Sequence, residues 1–285
     1  MKRYISLVFL SAVFIGILKA QTKSDSLLIV SAPWNIHEVC KGIVHKSVFI
    51  DYLYHGNQSI NVIEISPKSK SKIGIAVTGK RDTISRRAYD YNALAAINGS
   101  YFNMKEGNSI CYLKTNKEVI DTTTISEFNL RVTGAIHIKK GKLTLIPWSR
   151  DIEKNYSIKR NESILASGPL MLLNGNYYDW SMCDKNFIQT KHPRSAICLT
   201  KDKKILFVTI DGRHSGKADG MNIPELAHFL KVLGCEEAIN LDGGGSTSLW
   251  LSGATENGIV NYPCDNKKFD HRGERTVPNF LYIYK

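Results

Sequence analysis

The sequence predicts an α+β fold in a single domain, built from a mixed β-sheet and a few helices. Three observations predict it. Short runs rich in β-branched and aromatic residues recur from about Ile43 to the C-terminus, many of them bounded by Gly, Pro, Asn or Asp. Residues 223–233 instead repeat apolar side chains at helical spacing. No repeat, low-complexity stretch or linker divides the 285 residues, so one core is the economical solution.

The first twenty residues stand apart. Lys2 and Arg3 precede an uncharged run over residues 5–18, and Ala20 offers a small residue for cleavage. That run falls short of the ~20 residues a spanning helix needs, so a signal peptide over 1–20 is expected, with the domain in 21–285. An uncleaved anchor is the alternative, because Leu18 departs from the usual Ala-x-Ala pattern. No later segment is apolar enough to span a bilayer, so the mature chain is expected to be secreted or periplasmic.

Strands are expected in order from residue 43 to 78, with Pro67 and the Lys/Ser run after it marking a turn. A helix is expected over 83–93, with Thr83 or Ser85 as N-cap, feeding a short apolar strand at 94–97. The more polar middle carries a hairpin signal at 138–143, and 163–173 reads as two apolar stretches broken at Gly168-Pro169. Further strands are expected at 195–199, 205–210, 238–241 and 280–284. The clearest helix has Asn222 as N-cap, Pro224 in its first turn and Gly234 at its stop, with Leu226, Phe229, Leu230 and Leu233 on one face.

Formal charge is +12, and loss of Lys2, Arg3 and Lys19 with the leader leaves +9. Such an excess favours anionic partners. It does not indicate nucleic acid, because no basic stripe interleaved with aromatics and no nucleic-acid module is present. Cys40, Cys111, Cys183, Cys198, Cys235 and Cys264 form no Cys-x-x-Cys pair and no zinc-finger spacing with histidine. Disulfides and small buried thiols both fit them. His192 and His214 lack metal-site spacing, so no metal and no other cofactor is expected.

Chemistry concentrates at strand ends. Asn240-Leu241-Asp242-Gly243-Gly244-Gly245-Ser246 follows an apolar strand, which places Asp242 at its end. Three glycines suit close approach of a ligand to backbone N–H groups, although a tight turn capped by aspartate would look similar. The run matches neither a phosphate-binding Walker loop nor a dinucleotide fingerprint. A second apolar strand ends at Asp211-Gly212-Arg213, with one helix between, so both carboxylates can share a sheet edge. Asn98-Gly99-Ser100-Tyr101-Phe102 offers an amide and two rings for a sugar, with core aromatics as the plainer alternative. His192, Arg194 and Arg275 add an imidazole and two guanidiniums near further strand starts. Glu225, in the first turn of the capped helix, is a binding candidate whose simpler role is at the helix N-terminus.

Taken in order, Asn98-Gly-Ser-Tyr-Phe, His192-Pro-Arg-Ser-Ala, Asp211-Gly-Arg, Gly220-Met-Asn-Ile-Pro-Glu-Leu-Ala, Asn240-Leu-Asp-Gly-Gly-Gly-Ser and Glu274-Arg-Thr-Val-Pro-Asn resemble the phosphodiester glycosidase family. Two departures are visible: Ser195 stands where the family often has threonine, and the loop 216–220 lacks a serine common in relatives. The resemblance implies hydrolysis of a sugar joined through its anomeric oxygen to phosphate, on a phosphorylated or otherwise anionic glycan. Under it, Asp242 is the expected nucleophile or base, with Asp211, Arg213 and Arg194 beside it. Asn98, Gly99, Tyr101, Phe102, His192, Gly243, Gly244, Gly245, Ser246, Glu225 and Arg275 are the expected substrate contacts. Cleavage of the P–O bond, or binding of anionic glycan without turnover, are the alternatives.

Overall fold

The computed structural model describes residues 23–116, 118–157, 160–254 and 256–285; the expected signal peptide lies outside them. Alternating β-branched residues drive three sheets, and every pairing among the described strands is antiparallel. The largest runs, in spatial order, Asn35–Cys40, Ile43–Leu53, Gly56–Ile65, Ile205–Ile210, Arg194–Thr200, Cys235–Asn240, Leu170–Leu173 and Asn176–Tyr177. A five-stranded sheet is built from the polar middle, ordered Glu118–Asp121, Leu113–Thr115, Glu162–Ser167, Gly134–Lys139 and Lys142–Pro147. A four-stranded sheet orders Leu249–Leu251, Ala95–Asn98, Val277–Tyr284 and Lys72–Asp82. This is the α+β class the sequence predicts.

Local rules explain most joints. The expected hairpin over 138–143 turns at Lys140 and Gly141, both at positive φ (51° and 74°), as a two-residue type I′ turn requires. At Gly168-Pro169 the chain leaves the five-stranded sheet for the eight-stranded one.

The helix Ile223–Val232 starts in a full capping box, in which Asn222 accepts from Glu225 N and Glu225 accepts from Asn222 N. Leu226, Phe229 and Leu230 are fully buried against the eight-stranded sheet, together with Val208, Ala196 and Ala238. Each such side chain stabilises the fold by roughly 1.5–3 kcal/mol. The opposite face of that sheet packs Ile63, Phe207, Ile197 and Ile239 against Ile136, Leu165 and Leu281 of the other two sheets.

Residues 83–93 differ from the single helix expected. A short α-helix, Ile84–Arg87, passes into a 3-10 turn, Ala88–Tyr91. Thr83 makes no side-chain cap; the carboxylate of Glu274, far along the chain, accepts instead from Ile84 N, Ser85 N and the Ser85 hydroxyl. None of the six cysteines is in a disulfide, and all but Cys40 are buried. No helix among the described residues is long and apolar enough to cross a membrane.

Candidate active site

Strand ends from two sheets converge at one place. Ile205–Ile210 and Cys235–Asn240 each pair antiparallel with Arg194–Thr200 between them, so both run the same way and end at the same sheet edge. The end of Ala95–Asn98 reaches that edge from the four-stranded sheet: Asp242 N donates to Gly99 O (3.1 Å), and Asn98 Nδ2 donates to Asp242 O (2.6 Å). The Asp242 backbone is thus held from both sides.

A cavity of about 230 Å³ opens there, lined by Asp242, Gly243, Gly244, Gly245, Tyr101, Phe187, His192 and four arginines: Arg131, Arg194, Arg213 and Arg275. Asp242 is the one carboxylate among these lining residues. Burial raises it to about 6, against the Ser246 hydroxyl, the Arg131 and Arg275 charges and the Gly243 amide, all of which favour its ionised form.

Each guanidinium is held differently. Arg131 lies 3.6 Å over the Tyr101 ring and grips Glu127 in a bidentate pair (2.8 and 3.1 Å). Arg275 forms a second bidentate pair with Asp265, both contacts 2.7 Å. Arg194 is 1% exposed and donates to the carbonyls of Met221, Phe187 and Thr190. Burial, with Arg131 and Arg213 nearby, lowers it to about 10, still protonated at neutral pH. Arg213, at φ 62°, is exposed, lies 3.3 Å from His192 Nδ1, and makes no ion pair among the described residues. Burial and the Arg194 and Arg213 charges push His192 down to about 4, leaving it neutral near pH 7.

The glycine run serves close approach. Gly244 is left-handed (φ 61°), and a Cβ there would meet the Arg213 guanidinium at 3.1 Å. A Cβ on Gly245 would collide with Asp265 Oδ1 and the Arg275 guanidinium. The Gly244 amide is already committed to Pro193 O (2.9 Å).

Several expected contacts lie outside the lining. Asp211 ends its strand at the expected edge, but its 1%-exposed carboxylate accepts from Ser59 Oγ (2.7 Å), Asn261 Nδ2 (2.9 Å) and Tyr262 N (2.9 Å), so it braces the wall and does not face the cavity. Asn98 is fully buried and spends its side-chain oxygen on Ser195 Oγ and Ser248 N. Gly99 is required beside Asn279, whose side-chain oxygen a Cβ would overlap. Phe102 packs in a separate apolar cluster with Trp250 and Phe280. Ser246 is fully buried and acts on the Asp242 carboxyl. Glu225 caps its helix and pairs with Lys191 (3.2 Å). Tyr101 lines the cavity but is 1% exposed, with its hydroxyl 2.6 Å from Gly168 O, so it forms a floor under Arg131 more than an open platform.

Arg131 and Phe187 are the residues that the motifs do not reveal. The one sequence trace of Arg131 is Glu127 four residues before it, a spacing that reads as an ordinary helical surface pair. Among the described residues no group of three or more His, Cys, Asp or Glu side chains gathers as a metal site would.

The sheets and the cavity define an α+β protein with an arginine-lined site that holds a single carboxylate. The phosphodiester glycosidase family model matches residues 91–284, and the chain belongs to that family. It is similar to N-acetylglucosamine-1-phosphodiester alpha-N-acetylglucosaminidase of mouse (23% identity over 202 residues, 66% of this chain) and of human (25% over 203 residues, 66% of this chain). The matched segments cover 36% of each relative, so the chain spans about a third of the length of the curated relatives it matches. In structure it resembles the catalytic domain of the zebrafish enzyme of that name, auto-inhibited by its pro-peptide. The TM-score is 0.64 at 21% identity, covering 91% of this chain and 93% of that one. A hypothetical protein from Synechocystis is similarly related, with a TM-score of 0.64 at 16% identity, covering 88% of this chain and 63% of that one.

Proposed function

We propose that the protein is an exported hydrolase that releases a sugar, N-acetylglucosamine or a close relative, from a sugar-1-phosphodiester on an anionic glycan. The observation that carries this reading is one carboxylate, Asp242, facing a cavity ringed by four guanidiniums. An ordinary glycoside needs a second carboxyl group to protonate a poor leaving group. A phosphate leaves as a stabilised anion, so fixed cations replace that acid.

In the proposed reaction the C1–O bond breaks, and its electron pair leaves on the phosphate oxygen toward Arg213 and Arg194. Asp242, ionised above about pH 6, either bonds to C1 and is displaced there by water in a second step, or takes the proton of the water that attacks C1 directly. Arg131 and Arg275 hold Asp242 ionised, and Asp211 is a positioning residue for the turn that carries Arg213. Membership of the family and the expected leader over 1–20 support an exported glycan hydrolase.

Release of free sugar from a synthetic N-acetylglucosamine-1-phosphodiester, compared between wild type and Asp242→Asn, tests the reading. Sugar release that collapses in the variant is expected. Sugar-1-phosphate as the product would place the cut at P–O and overturn it.

A further inference from the structure

A larger cleft, about 630 Å³, lies beside the wall that Asp211 braces. Ser59 and Tyr262, which hold the Asp211 carboxylate, line this cleft, whereas Arg213, two positions on, lines the cavity. The segment 261–275 is shared in the same way: Tyr262 and His271 face the cleft, and Arg275 faces the cavity.

Three features of the cleft point to one ligand chemistry. First, it is uncharged. None of its described lining residues is Asp, Glu, Lys or Arg, although such residues make up 22% of the chain and the formal charge is +12. Second, it presents rings. Phe49 is 54% exposed on a strand and sits 6.0 Å from Tyr262. Tyr262 is itself clamped between Phe269 (4.0 Å, 11°) and His271 (4.5 Å, 28°), which fixes its orientation. Third, it supplies hydrogen-bonding groups. His37 and His45 pair across adjacent strands, His45 Nε2 lies 3.0 Å from Asn61 Oδ1, and burial holds His45 below the usual histidine range.

An exposed ring, Phe49, that can take an apolar face, with imidazoles and the Ser47 and Ser252 hydroxyls around it, suits a pyranose, which has C–H faces and a hydroxylated edge. The cleft volume, about 630 Å³, lies within the range of small-molecule sites. We propose that this cleft is a second carbohydrate site, which takes an uncharged sugar ring independently of the chemistry at Asp242.

The full chain would be titrated with neutral saccharides (glucose, mannose, N-acetylglucosamine and their disaccharides), read by saturation-transfer NMR. Binding in the millimolar range is expected for at least one of them. Phe49→Ala removes an exposed ring and so should leave the fold intact, while weakening binding roughly 3- to 10-fold. Asp242→Asn should bind as wild type does. No saturation transfer from any saccharide at about 50 mM, a range that already corresponds to very weak binding, would overturn the proposal. So would binding indifferent to Phe49→Ala, or binding lost in Asp242→Asn, which would place the sugar in the cavity. Turnover of the phosphodiester is a separate readout, so either reading can fail alone.

Discussion

Arg131 gives the sharpest test of the cavity, because no sequence motif nominates it. Replacing it alone would strand the buried Glu127 carboxylate, at a cost of about 3 kcal/mol for a broken buried pair. The informative variant is therefore Arg131→Gln combined with Glu127→Gln, which removes the pair together. Arg131 is the stronger of the two arginines holding Asp242 ionised, and an opposite charge of this kind lowers a carboxyl by about one unit or more. Its loss moves the Asp242 pKa upward from about 6. Activity requires the carboxylate, so the rate rises with pH through that value, and the variant's rising limb should sit about one unit higher. Because Glu127 already neutralises Arg131, removing the pair together changes no net charge at the phosphate, so the plateau above the transition should change little. The assay is kcat/KM for sugar release between about pH 4 and 9, a range chosen to bracket the carboxyl transition. A folded double variant whose rising limb stays put, or moves to lower pH, would refute the role given to Arg131.

Three further outcomes are expected. Asp242→Asn should be more stable than wild type at pH 8 and equal to it below about pH 3. A carboxyl raised from the usual 3.8 to about 6 gives stability that is present below the lower value and lost as pH climbs through the upper. The gain above pH 7 is about 3 kcal/mol at most, read as melting temperature against pH. Asp211→Ala leaves the Ser59 hydroxyl and Tyr262 N without their acceptor and strips Asn261 Nδ2 of one of its two, so the melting temperature should drop by the equivalent of about 2–4 kcal/mol. Glu225→Ala breaks the capping box, costing about 1 kcal/mol in a denaturant titration, and leaves sugar-release kcat within about tenfold of wild type, as expected of a residue outside the cavity lining that acts on it only through Arg194.

The sequence makes legible those parts of the site whose position follows from strand ends. Asp242, the glycine run, Arg194, Arg213 and Arg275 sit where an apolar strand or its flank stops, and all line the cavity. The direction of a side chain at a strand end is not legible in the same way. Asp211 and Asp242 share a sequence context and a sheet edge, but the strand next to Asp211 carries Ser59, and the loop beyond supplies Asn261 and Tyr262. Those donors lie about 50 and 152 residues away, beyond any local pattern. The helix expected over 83–93 fails for a related reason: its cap comes from Glu274, so local propensity sets only its first turn. Arg131 follows the short helix Ile125–Leu130, and only the fold places it over Tyr101.

Charge balance at the cavity favours a monoanionic ligand. Arg131 and Arg275 are each neutralised by a carboxylate of their own, whereas Arg194 and Arg213 make no ion pair among the described residues. With Asp242 ionised, one positive charge is left over, and a phosphodiester carries one negative charge. As the C1–O bond breaks, the departing phosphate acquires a second negative charge. Asp242 loses its own at the same moment, whether it bonds to C1 or accepts the proton of water. Two uncompensated guanidiniums then face a dianion, so the site stays neutral through the proposed step and is poised where charge develops. A neutral glycoside would leave the cations unmatched, and its alkoxide would need a proton that no second lining carboxyl supplies. The two uncompensated arginines that would meet a phosphodiester, Arg194 and Arg213, therefore select against the commoner substrate.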